Sequence, residues 1–267
     1  MLVLIHRLLT LLICSTALLV VGAPAQAQLA LAPLSGLQLT RLDVLHNVPP
    51  GLTLEQVQSG QAGAFVQASG LQISHTHWYR AMWLRLHVKA APDQRLATDR
   101  AVLVFRKSYL DDLRLYTPSE VANQPWAVQS AGDFVRPAAW PVRSLYPTFL
   151  LPPVQRVAAL EGQSMVLYLQ MNHVAPVVLG VNLGDSKDSL DRDALTVLIY
   201  GLGLGAILIS ALLSTALAWL YRDVIYAWYG MYATAALLAC ASHSGIAHHV
   251  LWPVAGPWPG TATFCFL

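Results

Sequence analysis

One pair of adjacent carboxylates, Asp111 and Asp112, is the first place where this sequence could support acid–base chemistry. Two carboxylates that converge on one substrate can act as general acid and general base. These two lie in a strand-like stretch, where successive side chains point to opposite faces. We therefore expect no converging acid pair and predict that the chain is not an enzyme. A membrane-anchored enzyme acting outside the cytoplasm is the alternative that such a pair would mark.

Histidines occur in two groups that could bind metal or respond to pH. His75 and His77 would share one strand face, a spacing that zinc can use, but no carboxylate or cysteine is near them in sequence. We favour surface or turn histidines there, and expect no metal and no cofactor. His243, His248 and His249 could form a pH-sensitive cluster near a membrane surface. The interpretation that we favour is histidines of a loop at an interface.

The distribution of charge divides the chain into three parts. Charged residues make up 11% of the 267 residues and hydrophobic residues 55%, whereas roughly 25% of an ordinary soluble chain is charged. Arg7 is the only charge before residue 28, and Arg222 and Asp223 are the only charges after Asp193. The net charge of +2, with no basic run, predicts no nucleic-acid partner. The chain thus has a hydrophobic head, a water-compatible middle and a hydrophobic tail.

The hydrophobic head, residues 1–27, is predicted to be an export signal. Arg7 gives a positive start, residues 8–22 form an apolar run, and Ala25 and Ala27 match the small-x-small cleavage pattern. Cleavage after Ala27 would leave the middle of the chain outside the cytoplasm. An uncleaved anchor helix is the alternative.

The middle of the chain is predicted to be an all-β sandwich over residues 41–188, after a linker at 28–40. Met82, Leu84, Leu86 and Val88 alternate with polar or aromatic residues, which is the pattern of a half-buried strand. Further strands are expected at 101–105, 113–116, 165–171 and 177–183, and a short helix at 54–57.

The tail is predicted to be embedded in a membrane. Transmembrane helices are expected at 194–220 and 224–242, then a loop at 243–260 and the start of a truncated third helix at 261–267. Export of the middle domain directs Arg222 to the cytoplasm, in agreement with the positive-inside rule. Gly201 and Gly205 form a G-x-x-x-G motif, which is expected to pack against another helix of the same bundle. The alternative is that it joins two copies of the chain in a homodimer. Membrane lipid is therefore an expected partner.

Short motifs in a fixed order make the chain similar to a known family. The outer part has residues 52–57, 83–86, 109–116, 131–133, Arg143, Tyr146, Pro147 and 167–169. The membrane part has Tyr200, Gly201, Arg222, Asp223, Tyr226, Tyr229, Tyr232, Gly245 and 251–253. In these motifs the chain resembles the bacterial receptors that combine seven transmembrane helices with diverse intracellular signalling modules. Within that family it resembles the receptors that carry the type 2 extracellular domain, which is jelly-roll-like. One departure is Ser214, where relatives often carry asparagine.

The resemblance implies a receptor in the bacterial inner membrane with its sensor domain in the periplasm. Its outer domain would bind a small ligand, with carbohydrate as the candidate class. The helices would relay the signal to a cytoplasmic module of the diguanylate cyclase, histidine kinase or phosphatase type. The sequence contains no GGDEF run, no kinase-type histidine motif and no Gly-rich phosphate loop after a strand.

Ligand contact is expected in the proline-rich stretch that follows the central strands. Aromatic faces stack on sugar rings and planar polar groups bind hydroxyls, and residues of both kinds gather there: Trp126, Arg136, Trp140, Arg143 and Tyr146. The alternative that we favour is packing of Trp140 and Tyr146 at the sandwich edge, with Arg143 paired to Asp133 or Asp112. For the whole chain, the alternative function is a membrane-anchored structural or partner-docking subunit that binds no ligand.

Overall fold

The computed structural model describes residues 36–49, 51–68, 70, 72–75, 80–90, 101–160, 162–174 and 176–266. The predicted export signal, residues 1–27, lies outside these residues, as does His77. Residues 36–185, called the β domain below, form antiparallel sheets with short helices between strands, and residues 186–266 are mainly helical. A β-sheet-rich region followed by apolar helices confirms the predicted fold class.

The largest sheet of the β domain has six antiparallel strands in the order β2-β1-β4-β9-β6-β7. They are β1 (Leu37–Val48), β2 (Val66–Gln67), β4 (Arg80–Ala90), β6 (Asp112–Pro118), β7 (Trp126–Ala131) and β9 (Met165–His173). Met82, Leu84, Leu86 and Val88 of β4 are all buried on one face, as their alternation predicts.

Two smaller sheets form the second layer. Strand β3 (Gln72–His75) pairs with β10 (Val177–Gly180), while β5 (Ala101–Val104) lies between β8 (Thr148–Leu150) and β11 (Asn182–Asp185). All of β5 is buried, as expected of an apolar core strand. One apolar cluster includes Leu84 of the large sheet with Leu103 and Leu179 of the small sheets. The core therefore lies between the layers of a sandwich.

Two boundaries in the β domain differ from the predictions. The alternating stretch 177–183 was predicted as one strand, but it divides at Val181 because its two halves pair with different strands, β3 and β5. The segment 28–40 was predicted as a linker, but β1 already begins at Leu37. The reason is that Leu37 pairs with Ala90 and is fully buried in the core.

A short helix covers part of the outer face of the six-stranded sheet. Helix α1 (Leu54–Gln58) begins with a capping box in which Thr53 and Gln56 exchange side-chain and backbone hydrogen bonds. Its buried Leu54 and Val57 belong to a second apolar cluster with Trp83 and the aromatic residues around it. The six-stranded sheet is thus covered over β1, β4 and part of β9, while the ends of β6 and β7 stay open. A second short helix, α2 (Val154–Ala158), precedes β9.

Two helices are long and apolar enough to cross a membrane: α3 (Ser186–Tyr221) and α4 (Val224–His243). They contain the predicted spans 194–220 and 224–242. Arg222, in the left-handed conformation, ends α3, and the Asp223 side chain caps α4 by accepting a hydrogen bond from the Ile225 amide. The helices pack closely at Gly230, where a Cβ atom would lie 2.9 Å from the Thr215 hydroxyl.

The predicted loop 243–260 is partly helical. Helix α5 (Ile246–Val250) follows a sharp turn at Gly245, whose positive φ of 83° suits glycine. Helix α6 (Trp258–Phe266) begins before the predicted position of residue 261, because Pro259 in its first turn is compatible with a helix start. The sequence pattern missed both features because α5 is short and its histidines carry no helical periodicity.

Candidate functional site

The β domain contacts the helical part along a surface that we call the junction. The Ser108 hydroxyl donates a 2.8 Å hydrogen bond to the backbone carbonyl of His243, and the Gly256 amide donates a 2.9 Å bond to that of Asp133. The approach at Gly245 is so close that a Cβ atom there would lie 2.7 Å from Cβ of Ser108. The junction is therefore a packed surface with direct hydrogen bonds.

A buried carboxylate and a buried imidazole face each other across the junction. Nδ1 of His248 lies 3.3 Å from Oδ1 of Asp133, and the two side chains are 4% and 1% exposed. Apart from this imidazole, neither carboxylate oxygen of Asp133 has a hydrogen-bond partner among the described residues. Burial raises the pKa of the Asp133 carboxyl, although the adjacent His248 lowers it in part.

A second carboxylate–imidazole pair lies next to the first. Nδ1 of His173 donates a 2.8 Å hydrogen bond to Oδ2 of Asp111, which also accepts one from the Val174 amide at 2.7 Å. The ring of Tyr109 lies 6.3 Å from that of His173 and stacks on that of His243 at 6.2 Å. Aromatic contacts thus connect the end of β9 to the end of α4.

An open cleft of about 780 Å³ occupies the uncovered end of the six-stranded sheet. The polar part of its lining comes from β6 and β9 and consists of Asp112, Arg114, Asn172 and His173. Two aromatic rings, Tyr116 and Phe134, also line it. Asp112 is held by Arg114 at 3.0 Å and by the Asn172 amide at 3.1 Å. Phe134 is 47% exposed. The cleft therefore combines fixed planar polar groups with an accessible ring.

The adjacent acids Asp111 and Asp112 bind different partners. Asp112 pairs with Arg114 and Asn172 at the floor of the cleft, whereas Asp111 pairs with His173 on the side of the junction. This separation follows from the opposite directions of successive side chains at a strand start. Both acids border the cleft, and each carboxylate is held there by its own partner.

Two of the predicted ligand residues, Trp140 and Tyr146, are buried. The Trp140 indole N–H donates to the Val135 carbonyl at 3.0 Å, and its ring meets those of His248 and His249 edge-on. Tyr146 packs in another cluster that reaches Tyr200 of α3, and burial raises the pKa of its hydroxyl. Both therefore lie at the junction.

The other three predicted ligand residues lie apart from these two. Trp126 packs edge-on against Tyr168 in the cluster beneath α1, while Arg136 and Arg143 are exposed. Asp112 and Asp133, the expected partners of Arg143, instead face Arg114 and His248. The five residues that are close in sequence thus do not form one group.

The tail residues singled out in the sequence divide in a similar way. His248 and His249 are neighbours with ring centres 5.9 Å apart, and burial lowers the pKa of His249. His243 lies apart from them on Tyr109. A Cβ atom on Gly201 or Gly205 would meet nothing within 4 Å in the described chain, so both glycines face open space on α3. Among the described residues, no group of three or more side chains could hold a metal ion.

Sequence reasoning missed Asp133 and His173 as site residues, because their partners are distant in the chain. The one local signal is the Gly132-Asp133 pair directly after a strand. Gly132 has a φ of 117°, which favours glycine, and this bend directs the following residues to the junction and the cleft.

Comparison with protein families assigns both parts of the molecule. The family model "7TMR-DISM extracellular 2" matches residues 40–185, and "7TM diverse intracellular signalling" matches residues 196–266. The chain belongs to this family of membrane receptors, with an extracellular domain and a transmembrane region. A search of curated proteins found no match to the chain.

Proposed function

We propose that the β domain binds a small carbohydrate in the cleft, and that α3 and α4 relay binding to a cytoplasmic module of the cyclase, kinase or phosphatase type. The observation that carries this proposal is the position of the cleft, which ends where the junction begins. Asp111 and His173 border the cleft and are linked through Tyr109 to His243 of α4. A ligand that moved these side chains would act directly on the helical part.

The chemistry of the cleft supports a polyhydroxylated ligand. A carboxylate, a guanidinium group and an amide can bind pairs of hydroxyl groups, and their mutual contacts hold them in place. The exposed ring of Phe134 offers an apolar face on which a sugar ring can stack. Such a pocket replaces the hydrogen bonds that a sugar loses when it leaves water.

The path from the β domain into the membrane supports the relay. Strand β11 ends at Asp185 and α3 begins at Ser186, so sheet and helix are continuous. Asp193, on the second turn of α3, accepts a 3.2 Å hydrogen bond from the Leu145 amide. With Arg222 on the cytoplasmic side, the β domain would lie in the periplasm and the helices in the inner membrane.

The test is thermal unfolding of the full chain in a detergent without a sugar headgroup, with glucose, galactose, N-acetylglucosamine or maltose added. We expect at least one sugar to raise the Tm, because a ligand that binds the folded state stabilises it. Phe134→Ala and Asn172→Ala should abolish the shift. Arg143→Ala is the matched control and should retain it, since Arg143 is exposed and outside the cleft lining.

Two outcomes would contradict the proposal. In the first, Arg143→Ala loses the sugar-induced rise in Tm while the cleft variants keep it, which would place the binding site in the proline-rich stretch. No shift with any sugar, together with a stoichiometric protein partner, would favour the docking subunit.

A further inference from the structure

We propose that Asp133 and His248 share a single proton and form a pH-dependent latch that holds the β domain on the membrane helices and weakens in alkaline surroundings. The latch rests on one part of the proposed function, namely that signals pass from the β domain to the helices through the junction. It concerns the regulation of that junction and not the identity of the ligand.

The hydrogen-bond partners of His248 determine how many protons the pair must hold. Nε2 of His248 lies 3.2 Å from the backbone carbonyl of Val254, and because a carbonyl oxygen only accepts, Nε2 carries a hydrogen. A neutral ring then presents a lone pair at Nδ1, which faces Oδ1 of Asp133 at 3.3 Å. A lone pair and an ionised carboxylate repel each other. The contact is attractive only when one further proton lies on Nδ1 or on the carboxyl group.

The surroundings make this proton necessary. Asp133 and His248 are both almost fully buried, so water does not solvate an uncompensated charge there. Among the described residues, the other titratable groups that face the pair are Asp111 before β6, His173 on β9 and His249 on α5. Helix α6 presents Gly260, at which a Cβ atom would lie 2.8 Å from Oδ2 of Asp133.

These neighbours favour a protonated pair. Asp111 is already bound to His173, and its charge adds to the effect of burial in raising the pKa of Asp133. His249 is buried beside Trp140, and burial lowers its pKa, which favours its neutral form. The groups around the pair therefore do little to compensate the negative charge of the Asp133 carboxylate. The proton shared with His248 is its principal compensation.

The sign of the pH dependence follows from counting protons. An exposed aspartate and an exposed histidine together hold one proton between about pH 4 and 6.5, and none above that range. The docked pair keeps its proton to higher pH, so docking takes up a proton above about pH 6.5. Docking should then weaken by up to about tenfold per pH unit. The raised pKa of Asp133 agrees in sign, since a group with a raised pKa loses its stabilising effect as pH rises.

The latch lies one residue from the cleft. Phe134 follows Asp133 and lines the cleft, while the Asp133 and Phe134 amides donate 2.8 Å hydrogen bonds to the carbonyls of Leu110 and Asp111. A displacement of this segment by a ligand and the loss of the shared proton would therefore act on the same contact.

The test uses hydrogen exchange at the Gly256 amide, because its bond to the Asp133 carbonyl crosses the junction. The full chain in lipid nanodiscs would be measured from pH 5.5 to 9, with rates corrected for the intrinsic effect of pH. We expect constant protection up to about pH 6.5, then a fall of up to about tenfold per pH unit. Asp133→Asn should give a flat profile, because an amide can donate to Nδ1 of neutral His248 without an added proton. Glu55→Gln, an exposed carboxylate change on α1, should keep the wild-type slope.

Equal slopes in the wild type and Asp133→Asn, or a flat wild-type profile, would overturn the latch. If Asp133→Asn does not fold, ¹⁵N-histidine NMR of the wild type provides the test. His248 should lose its Nδ1 proton over the same pH range in which the Gly256 amide loses protection. Loss of the proton over a different pH range would overturn the proposal. Sugar binding is measured at one fixed pH, so failure of the proposed ligand leaves this profile interpretable.

Discussion

A Cβ atom on Gly132 would lie 2.7 Å from the backbone carbonyl oxygen of Asp111. It would lie equally close to the carbonyl of Leu110, so the chain leaving β7 crosses the start of β6 at a distance that only glycine permits. This crossing positions Asp133 in the junction and Phe134 at the cleft. One glycine therefore controls the geometry of both sites.

We expect Gly132→Ala to lower the free energy of unfolding by about 2–4 kcal/mol, because a positive φ and a backbone clash add together. Urea unfolding of the detergent-solubilised chain, followed by tryptophan fluorescence, measures this change. Gly162→Ala is the matched control, since Gly162 also has a positive φ but has open space at its Cβ position. Its cost should be about 1 kcal/mol. Equal losses in the two variants would show that the crossing is not tight.

The buried carboxylate of Asp43 predicts sensitivity to acid. Asp43 is fully buried and accepts hydrogen bonds from Arg41 at 2.7 Å and from Arg85 at 2.8 Å. Burial acts to raise the pKa of Asp43, but the two guanidinium groups outweigh it and the pKa is lowered. A lowered pKa gives stability that is present above about pH 4 and is lost as pH falls further.

Asp43→Asn should therefore cost about 1–3 kcal/mol at pH 7. The cost should be smaller at pH 3, because the unfolded wild-type chain is protonated there and the ionised carboxylate stabilises the folded state less. Urea unfolding at the two pH values measures the difference. Glu120→Gln removes an exposed ion pair with Arg156 and should change stability by less than about 0.5 kcal/mol at either pH. A cost of Asp43→Asn that is independent of pH would argue against ionisation as its cause.

The open face of α3 at Gly201 and Gly205 is free to pack against another helix of the same bundle or, as in the predicted homodimer, against a second copy of the chain. If two copies pack there, Gly205→Leu should weaken self-association by roughly tenfold, since the added side chain separates the helices. Gly205→Ala keeps a small residue and should retain association. Energy transfer between labelled chains in lipid vesicles measures both. Unchanged self-association in Gly205→Leu would show that this face of α3 is not the dimer interface.

The strands that were predicted each leave a local pattern in the sequence, whereas β1, β2, β3, β7 and β8 were not predicted. In β4, the alternation of Met82 to Val88 marks the face in the sandwich core, although Trp83 on the opposite face is buried beneath α1. The uniform apolar run of β5 reflects burial on both faces. The split at Val181 was not predictable, because it depends on which distant strands pair with each half.

The site was much less predictable than the fold. Trp126, Trp140 and Tyr146 are close in sequence, yet their rings pack in three different apolar clusters. The pairs that do form, Asp111 with His173 and Asp133 with His248, join segments that are far apart in the chain. Contacts of this kind have no periodicity, so only the tertiary structure reveals them.

The continuity of β11 and α3 would let the first membrane helix act as a lever arm in the proposed relay. At 1.5 Å per residue, its 36 residues extend for about 54 Å. If the hydrogen bond from the Leu145 amide to Asp193 serves as the pivot, it lies about 12 Å from the start of α3, with about 42 Å of helix beyond it. A shift of β11 would then be amplified about 3.5-fold at Tyr221, so a movement of 1 Å in the sheet would become one of about 3.5 Å across the membrane.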